Sequence, residues 1–162
     1  KHKSEGIFFT IQDEKALVNK FRENLELYFD SITRGEEFKK SSSKKEILWV
    51  DDRPENNVYE RNILEKYGLT FSLALSTQQA LHYMKHNKFA LIISDMGRKE
   101  GIREGYVLLE EIRKMDKKIP FIIYAGSKKK EHVDEALRRG AQGCTNNPGE
   151  LIDLVLKNLL KN

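Results

Sequence analysis

Three aspartates carry the chemistry that the sequence advertises. Asp51 and Asp52 directly follow the apolar run Ile47 to Val50, and Asp95 directly follows the apolar run Phe89 to Ser94. Each run has the length and continuity of a strand buried on both faces of a parallel sheet. If the two strands are neighbours, all three acids meet in the crevice beyond their carboxyl ends, where open α/β sheets bind ligands. Carboxylates gathered in one crevice repel unless a cation or protons neutralise them, and a hard, oxygen-liganded Mg²⁺ suits one or two carboxylates with water and phosphate. The plainer account of the adjacent pair is that it caps the helix opening at Pro54, and the third acid argues against leaving it there.

The elements that position these acids repeat. From Glu46 onward, short apolar runs alternate with amphipathic stretches, which predicts five βα units in a doubly wound α/β domain; with the strand-end motifs quoted below, the expected strand order is 2-1-3-4-5. The predicted strands are 47–50, 69–75, 89–94, 121–124 and 141–145. The predicted helices are 54–67, 77–86, 106–115, 131–139 and 151–160, with Ser76 as a cap and Gly68 and Gly140 as stops. Residues 1–35 stand apart as an N-terminal strand-helix extension, in which Leu17, Phe21, Leu25, Phe29 and Ile32 share one helix face. That stripe needs a cover, so the extension is expected to be the tail of an upstream domain or a homodimerising element. Residues 36–45, rich in Ser and Lys, read as a linker, and residues 46–162 as the main domain. The chain starts at Lys1 without a Met and is expected to be a piece of something longer.

Composition narrows the class. Of 162 residues, 39% are hydrophobic and 33% charged, enough for one modest core under a solvated surface. No apolar run approaches the ~18 residues of a membrane span. Lys and Arg number 29 against 25 Asp and Glu, a balance of +4 with no basic domain and no recognition-helix pattern, so no nucleic-acid partner is expected within this chain. Cys144 is a single cysteine, which fits a cytoplasmic setting. His82 and His86 share a helix face without a third ligand nearby. The glycines at 97, 101 and 105 miss the phosphate-loop spacing.

The segments EILWVDDRPENN, FALIISDMG, IPFIIYAGS and GAQGCTNNPGEL resemble, in order, the strand ends of the receiver domain of two-component response regulators, a flavodoxin-like fold. The resemblance implies that Asp95 is the phospho-acceptor from a histidine kinase. It also implies that Asp52, Asp95 and the main-chain carbonyl of Gly97 hold a weakly bound Mg²⁺, with Asp51 assisting. Three positions depart from the family. Ala125 replaces its Thr or Ser, Asn147 its Lys before Pro148, and Cys144 its switch Tyr or Phe. Lys128 and Arg98, as long cations, and Ser127, as a hydroxyl, are the residues expected to compensate.

Two alternatives stand beside this reading. One is a pseudo-receiver that serves as a docking surface without phosphorylation. The other is a Mg²⁺-dependent phosphatase-like enzyme, which the sequence disfavours because Arg53 sits where a second acid would be needed.

Overall fold

The computed structural model describes residues 45–126 and 129–160, together with Asn19 and Thr33. The expected N-terminal extension, with Leu17, Phe21, Leu25 and Phe29, and most of the linker lie outside the described residues. So do Ser127 and Lys128.

Among the described residues, five strands form one parallel sheet in the order β2-β1-β3-β4-β5. They are β1 Lys45–Val50, β2 Leu69–Ala74, β3 Leu91–Ser94, β4 Phe121–Tyr124 and β5 Gly143–Thr145. The helices that follow the strands in turn are α1 Val58–Glu65, α2 Thr77–His86, α3 Glu104–Met115, α4 Lys130–Arg138 and α5 Pro148–Leu160. This is the doubly wound sheet that the alternating pattern predicted and the flavodoxin-like order that the strand-end motifs implied.

The strands read as unbroken apolar runs because both sheet faces are covered. Leu48, Val50, Ile92, Phe121 and Ile123 pack with Ala80 of α2, Leu108, Leu109 and Ile112 of α3, and Ala136 of α4. The alternate residues Ile47, Trp49, Leu91, Ile93 and Ile122 pack with Leu64 of α1 and Leu151, Val155, Leu156 and Leu159 of α5. Two half-cores thus fix the register, since a one-residue slip would exchange every side chain between them.

Boundaries moved where local chemistry intervened. Pro54 opens a single 3-10 turn, Pro54–Asn57, before the regular helix α1. Gly68 and Gly140 stop their helices with φ of +82° and +95°, a conformation that side chains other than glycine's rarely adopt. Ser76 caps α2 by accepting from the Gln79 amide at 3.1 Å. β3 begins at Leu91, later than the apolar run suggests, and β1 begins at Lys45, inside the expected linker, where the ammonium donates to the Leu159 carbonyl at 2.6 Å.

Candidate functional site

The register places the acids. Val50 is paired with Ser94 across β1 and β3, so the residues that follow, Asp51 and Asp95, leave the sheet side by side. Each is pinned by a main-chain bond: the Asp51 amide donates to the Ala74 carbonyl and the Asp95 amide to the Val50 carbonyl, both at 2.9 Å. The acids line a cleft of about 690 Å³, together with Asn57, Gly97, Ala125 and Asn146.

The three carboxylates are not equivalent. Asp51 is buried and both its oxygens are engaged, Oδ1 by the Arg53 amide at 2.7 Å and Oδ2 by Asn57 Nδ2 at 2.5 Å. It braces the turn after β1 and presents its charge to the cleft. Asp52 accepts from the Lys99 amide at 3.0 Å through Oδ2. Asp95 accepts from the Met96 amide at 2.7 Å through Oδ1. Among the described residues, Oδ1 of Asp52 and Oδ2 of Asp95 accept no hydrogen bond, so one oxygen of each is available to a ligand. Burial holds the Asp95 carboxyl above the usual range, and the charges of Asp51 and Asp52 add to the effect. The Met96 amide and the Arg98 guanidinium oppose it.

Arg98 lies at the acid cleft, the sheet edge expected of it, and its guanidinium is already engaged. Its side chain is fully buried, and its guanidinium donates to Ser94 Oγ and the Asp95 carbonyl at 2.8 Å and to Thr77 Oγ1 at 2.7 Å, with Glu100 at 3.4 Å. It is a clamp that folds the 95–103 loop back on the start of α2, helped by the two amide–carbonyl bonds between Arg98 and Gly101. The acceptors Ser94 and Thr77 hold the guanidinium, while Arg98 also lines the acid cleft and its charge acts on Asp95.

The substituted positions divide. Ala125 lines the cleft and offers no hydroxyl. Asn147 turns away: its Oδ1 accepts from the Glu150 amide at 3.0 Å and caps α5, and Asn146 is the neighbour that lines the cleft. Cys144 is 5% exposed, and burial, with Glu150, pushes its thiol up and away from the nucleophilic thiolate.

Four residues that the sequence reading passed over shape the site. Asn57 holds Asp51. Tyr124 donates to Glu60 Oε1 at 2.8 Å, anchoring the end of β4 to α1. Gly105 brings α3 so close to the loop that a Cβ there would stand 2.9 Å from the Asp95 carbonyl oxygen. Asn146 supplies an amide at the cleft wall. Gly105 alone stands out in the sequence, as a glycine just before the predicted helix 106–115 that misses the phosphate-loop spacing; the helix in fact starts at Glu104 and includes it.

The chain as a whole is similar to known proteins. Transcriptional regulatory protein ZraR of Escherichia coli K12 is 31% identical over 96 residues, which make up 59% of this chain and 21% of that protein. The chain thus spans about a fifth of that regulator. An uncharacterised 14.6 kDa protein of Leptolyngbya boryana is 26% identical over 115 residues, 70% of this chain and 86% of that one. Among solved structures, the CheY-like response regulator receiver domain protein of Methanospirillum hungatei superposes with a TM-score of 0.64 at 26% identity. It covers 74% of this chain and 96% of that one. A two-component response regulator of Clostridium difficile gives a TM-score of 0.64 at 22% identity over 74% and 98% of the two chains, a likeness of fold. The family model of the response regulator receiver domain matches residues 47–157, from the first residues of β1 into the last helix, and the chain belongs to that family.

Proposed function

We propose that Asp95 is the phospho-acceptor of this receiver domain, taking the phosphoryl group of a histidine kinase. The observation that carries the reading is the state of its carboxyl: Oδ1 is fixed by the Met96 amide, and Oδ2 is uncommitted at the wall of an open cleft. In the transfer, Asp95 Oδ2 forms the new O–P bond as the P–N bond to the donor imidazole breaks. The electron pair returns to the imidazole nitrogen, leaving an acyl phosphate on Asp95.

Among the described residues, no group of three or more His, Cys, Asp or Glu side chains is gathered as a metal site. Mg²⁺ does not need one, since one or two carboxylates, a carbonyl and waters suffice. The donors available fit that requirement: Asp52 Oδ1, Asp95 Oδ2 and the Gly97 carbonyl would hold the ion, with Asp51 braced behind them. When bound, it would offset the charge that phosphoryl oxygens bring among three acids.

A second reading, the pseudo-receiver, is favoured by particular residues. Ala125 has no donor, Asn147 is spent on a cap and Arg98 on a clamp, and each missing donor costs on the order of 10²-fold in rate. Asn146, Arg53 and Lys99 also line the cleft and are candidate replacements. The phosphatase-like reading keeps Arg53 as its obstacle. Incubation with Mg²⁺ and acetyl phosphate, followed by intact mass, separates the three. One phosphate adduct, absent from Asp95→Asn and from samples without Mg²⁺, is the expected result. No adduct under any condition supports the pseudo-receiver, and, in a separate assay, steady multiple-turnover phosphate release from a generic phosphoester, abolished by Asp51→Asn, supports the enzyme.

A further inference from the structure

Beside the acid cleft lies a second cavity of about 760 Å³, between the ends of β4 and β5 and the first turns of α3 and α4. Its walls include Met96, Tyr106, Ala125 and Cys144, with Glu131 and His132 beyond them. Small residues open it. Cys144 belongs to the half-core beneath α3 and α4 and lines the cavity with a small side chain. The volume falls within the ~300–1,000 Å³ typical of small-molecule sites, which are mostly apolar with a few placed polar groups.

The opposite wall is held in place. The Tyr106 hydroxyl donates to the His132 carbonyl at 3.3 Å, and the Arg103 and Arg139 guanidinium carbons lie 5.3 and 4.8 Å from its ring centroid. Both cations are thereby occupied at the aromatic ring. Glu135 is engaged by Arg138 and Arg139. That leaves two lining carboxylates, Asp95 on the inner side and Glu131 at the exposed edge, with no ion-pair partner among the described residues.

We propose that this cavity binds a small, flat, apolar molecule carrying one positive charge. Its ring lies against Tyr106 and Met96 in the space left by Ala125 and Cys144, and its cation is directed to Asp95 and Glu131. Asp95, Gly97, Ala125 and Gly126 line both cavities, so such a ligand meets the acid cleft from its apolar side.

Three probes share one ring and differ in charge: tryptamine, indole and indole-3-acetate. Each is titrated into the ¹⁵N-labelled full chain in metal-free buffer. Tryptamine is expected to shift the Met96, Tyr106, Ala125 and Cys144 amides saturably. It should bind about fivefold more tightly than indole, the difference one partly exposed charge pair provides. Glu131→Gln should remove part of that advantage, and Cys144→Phe should abolish binding by filling the cavity. Ala125→Leu, checked by spectral dispersion, serves the same purpose if Cys144→Phe does not fold. Equal affinity for all three probes, shifts confined to Asp51, Asp52 and Asn57, or undiminished binding in a folded cavity-filling variant would overturn the proposal. So would the absence of saturable shifts.

Discussion

The phenol of Tyr124 donates to Oε1 of Glu60 at 2.8 Å, joining the end of β4 to α1 across 64 residues of sequence. Glu60 is 6% exposed, and its other oxygen is buried with no hydrogen-bond partner among the described residues. Tyr124 also meets the edge of Trp49, ring centroids 6.2 Å apart. Removing the phenol in Tyr124→Phe keeps the ring contact and leaves Glu60 wholly unpartnered. The expected loss is about 1–3 kcal/mol in chemical denaturation, and a loss near zero would show that water replaces the phenol.

The same tyrosine gives an alkaline signature. Burial, then the Glu60 hydrogen bond and charge, hold its ionisation far above the ordinary 10.0. The folded state therefore keeps a proton that the unfolded state releases. Stability from this group is complete below pH 10 and is lost as pH rises from there toward the raised folded value. Melting temperature against pH should fall more steeply above pH 10 in the native chain than in Tyr124→Phe. Parallel curves would show that Tyr124 ionises normally.

Arg98 is predicted to act on stability before chemistry. Its guanidinium serves Ser94, Thr77 and the Asp95 carbonyl at once, and truncation leaves the buried Ser94 hydroxyl and two half-buried acceptors without this donor. Arg98→Ala should cost about 3 kcal/mol in urea denaturation. Arg98→Lys should recover only part, because an ammonium lacks the planar fork that reaches several acceptors. A neutral effect of Arg98→Ala would mean that the clamp is not formed in solution.

Gly105 makes a sharper steric prediction. An added Cβ would stand 2.9 Å from the Asp95 carbonyl oxygen and 3.0 Å from Met96 Cα, both main-chain atoms that cannot swing aside. Gly105→Ala should cost about 2 kcal/mol by thermal melting as the loop is pushed from α3. Gly126→Ala, whose Cβ would meet nothing within 4 Å among the described residues, should stay within about 0.5 kcal/mol.

The contrast among these residues shows what a sequence displays. Asp51, Asp52 and Asp95 were legible because strand ends in a doubly wound sheet converge by topology, and topology follows from the alternation of apolar runs and amphipathic stretches. Helix stops at Gly68 and Gly140 were legible because only the left-handed backbone explains a glycine there. Glu60 and Tyr124 were not, since their meeting depends on the rotation of α1 against β4. The direction of Arg98 was hidden for a related reason, as its acceptors Thr77 and Ser94 come from two other elements. Asn146 and Asn147 differ by one position, and the Thr145 hydroxyl, accepting from the Asn147 amide at 3.0 Å, helps set the turn in which Asn147 caps α5.

Asp95 itself supplies the last prediction. Burial, with the charges of Asp51 and Asp52, raises its folded-state pKa above the ordinary 3.8. A carboxyl whose folded pKa is raised favours the folded state at low pH, and that contribution is lost as pH climbs from the unfolded value through the folded one. At pH 7 the native chain therefore carries a charge that it would be more stable without. Asp95→Asn removes the charge and keeps the shape, so it should melt higher than the native chain at pH 7. The advantage should shrink as pH falls toward 4, where the native carboxyl takes up its proton. If Mg²⁺ is held as proposed, adding it at pH 7 should raise the native melting point and barely move that of Asp95→Asn, whose amide oxygen is a poorer ligand for a hard cation. An Asp95→Asn variant that melts below the native chain at pH 7 would show that the carboxylate is stabilised in the cleft by partners stronger than the Met96 amide.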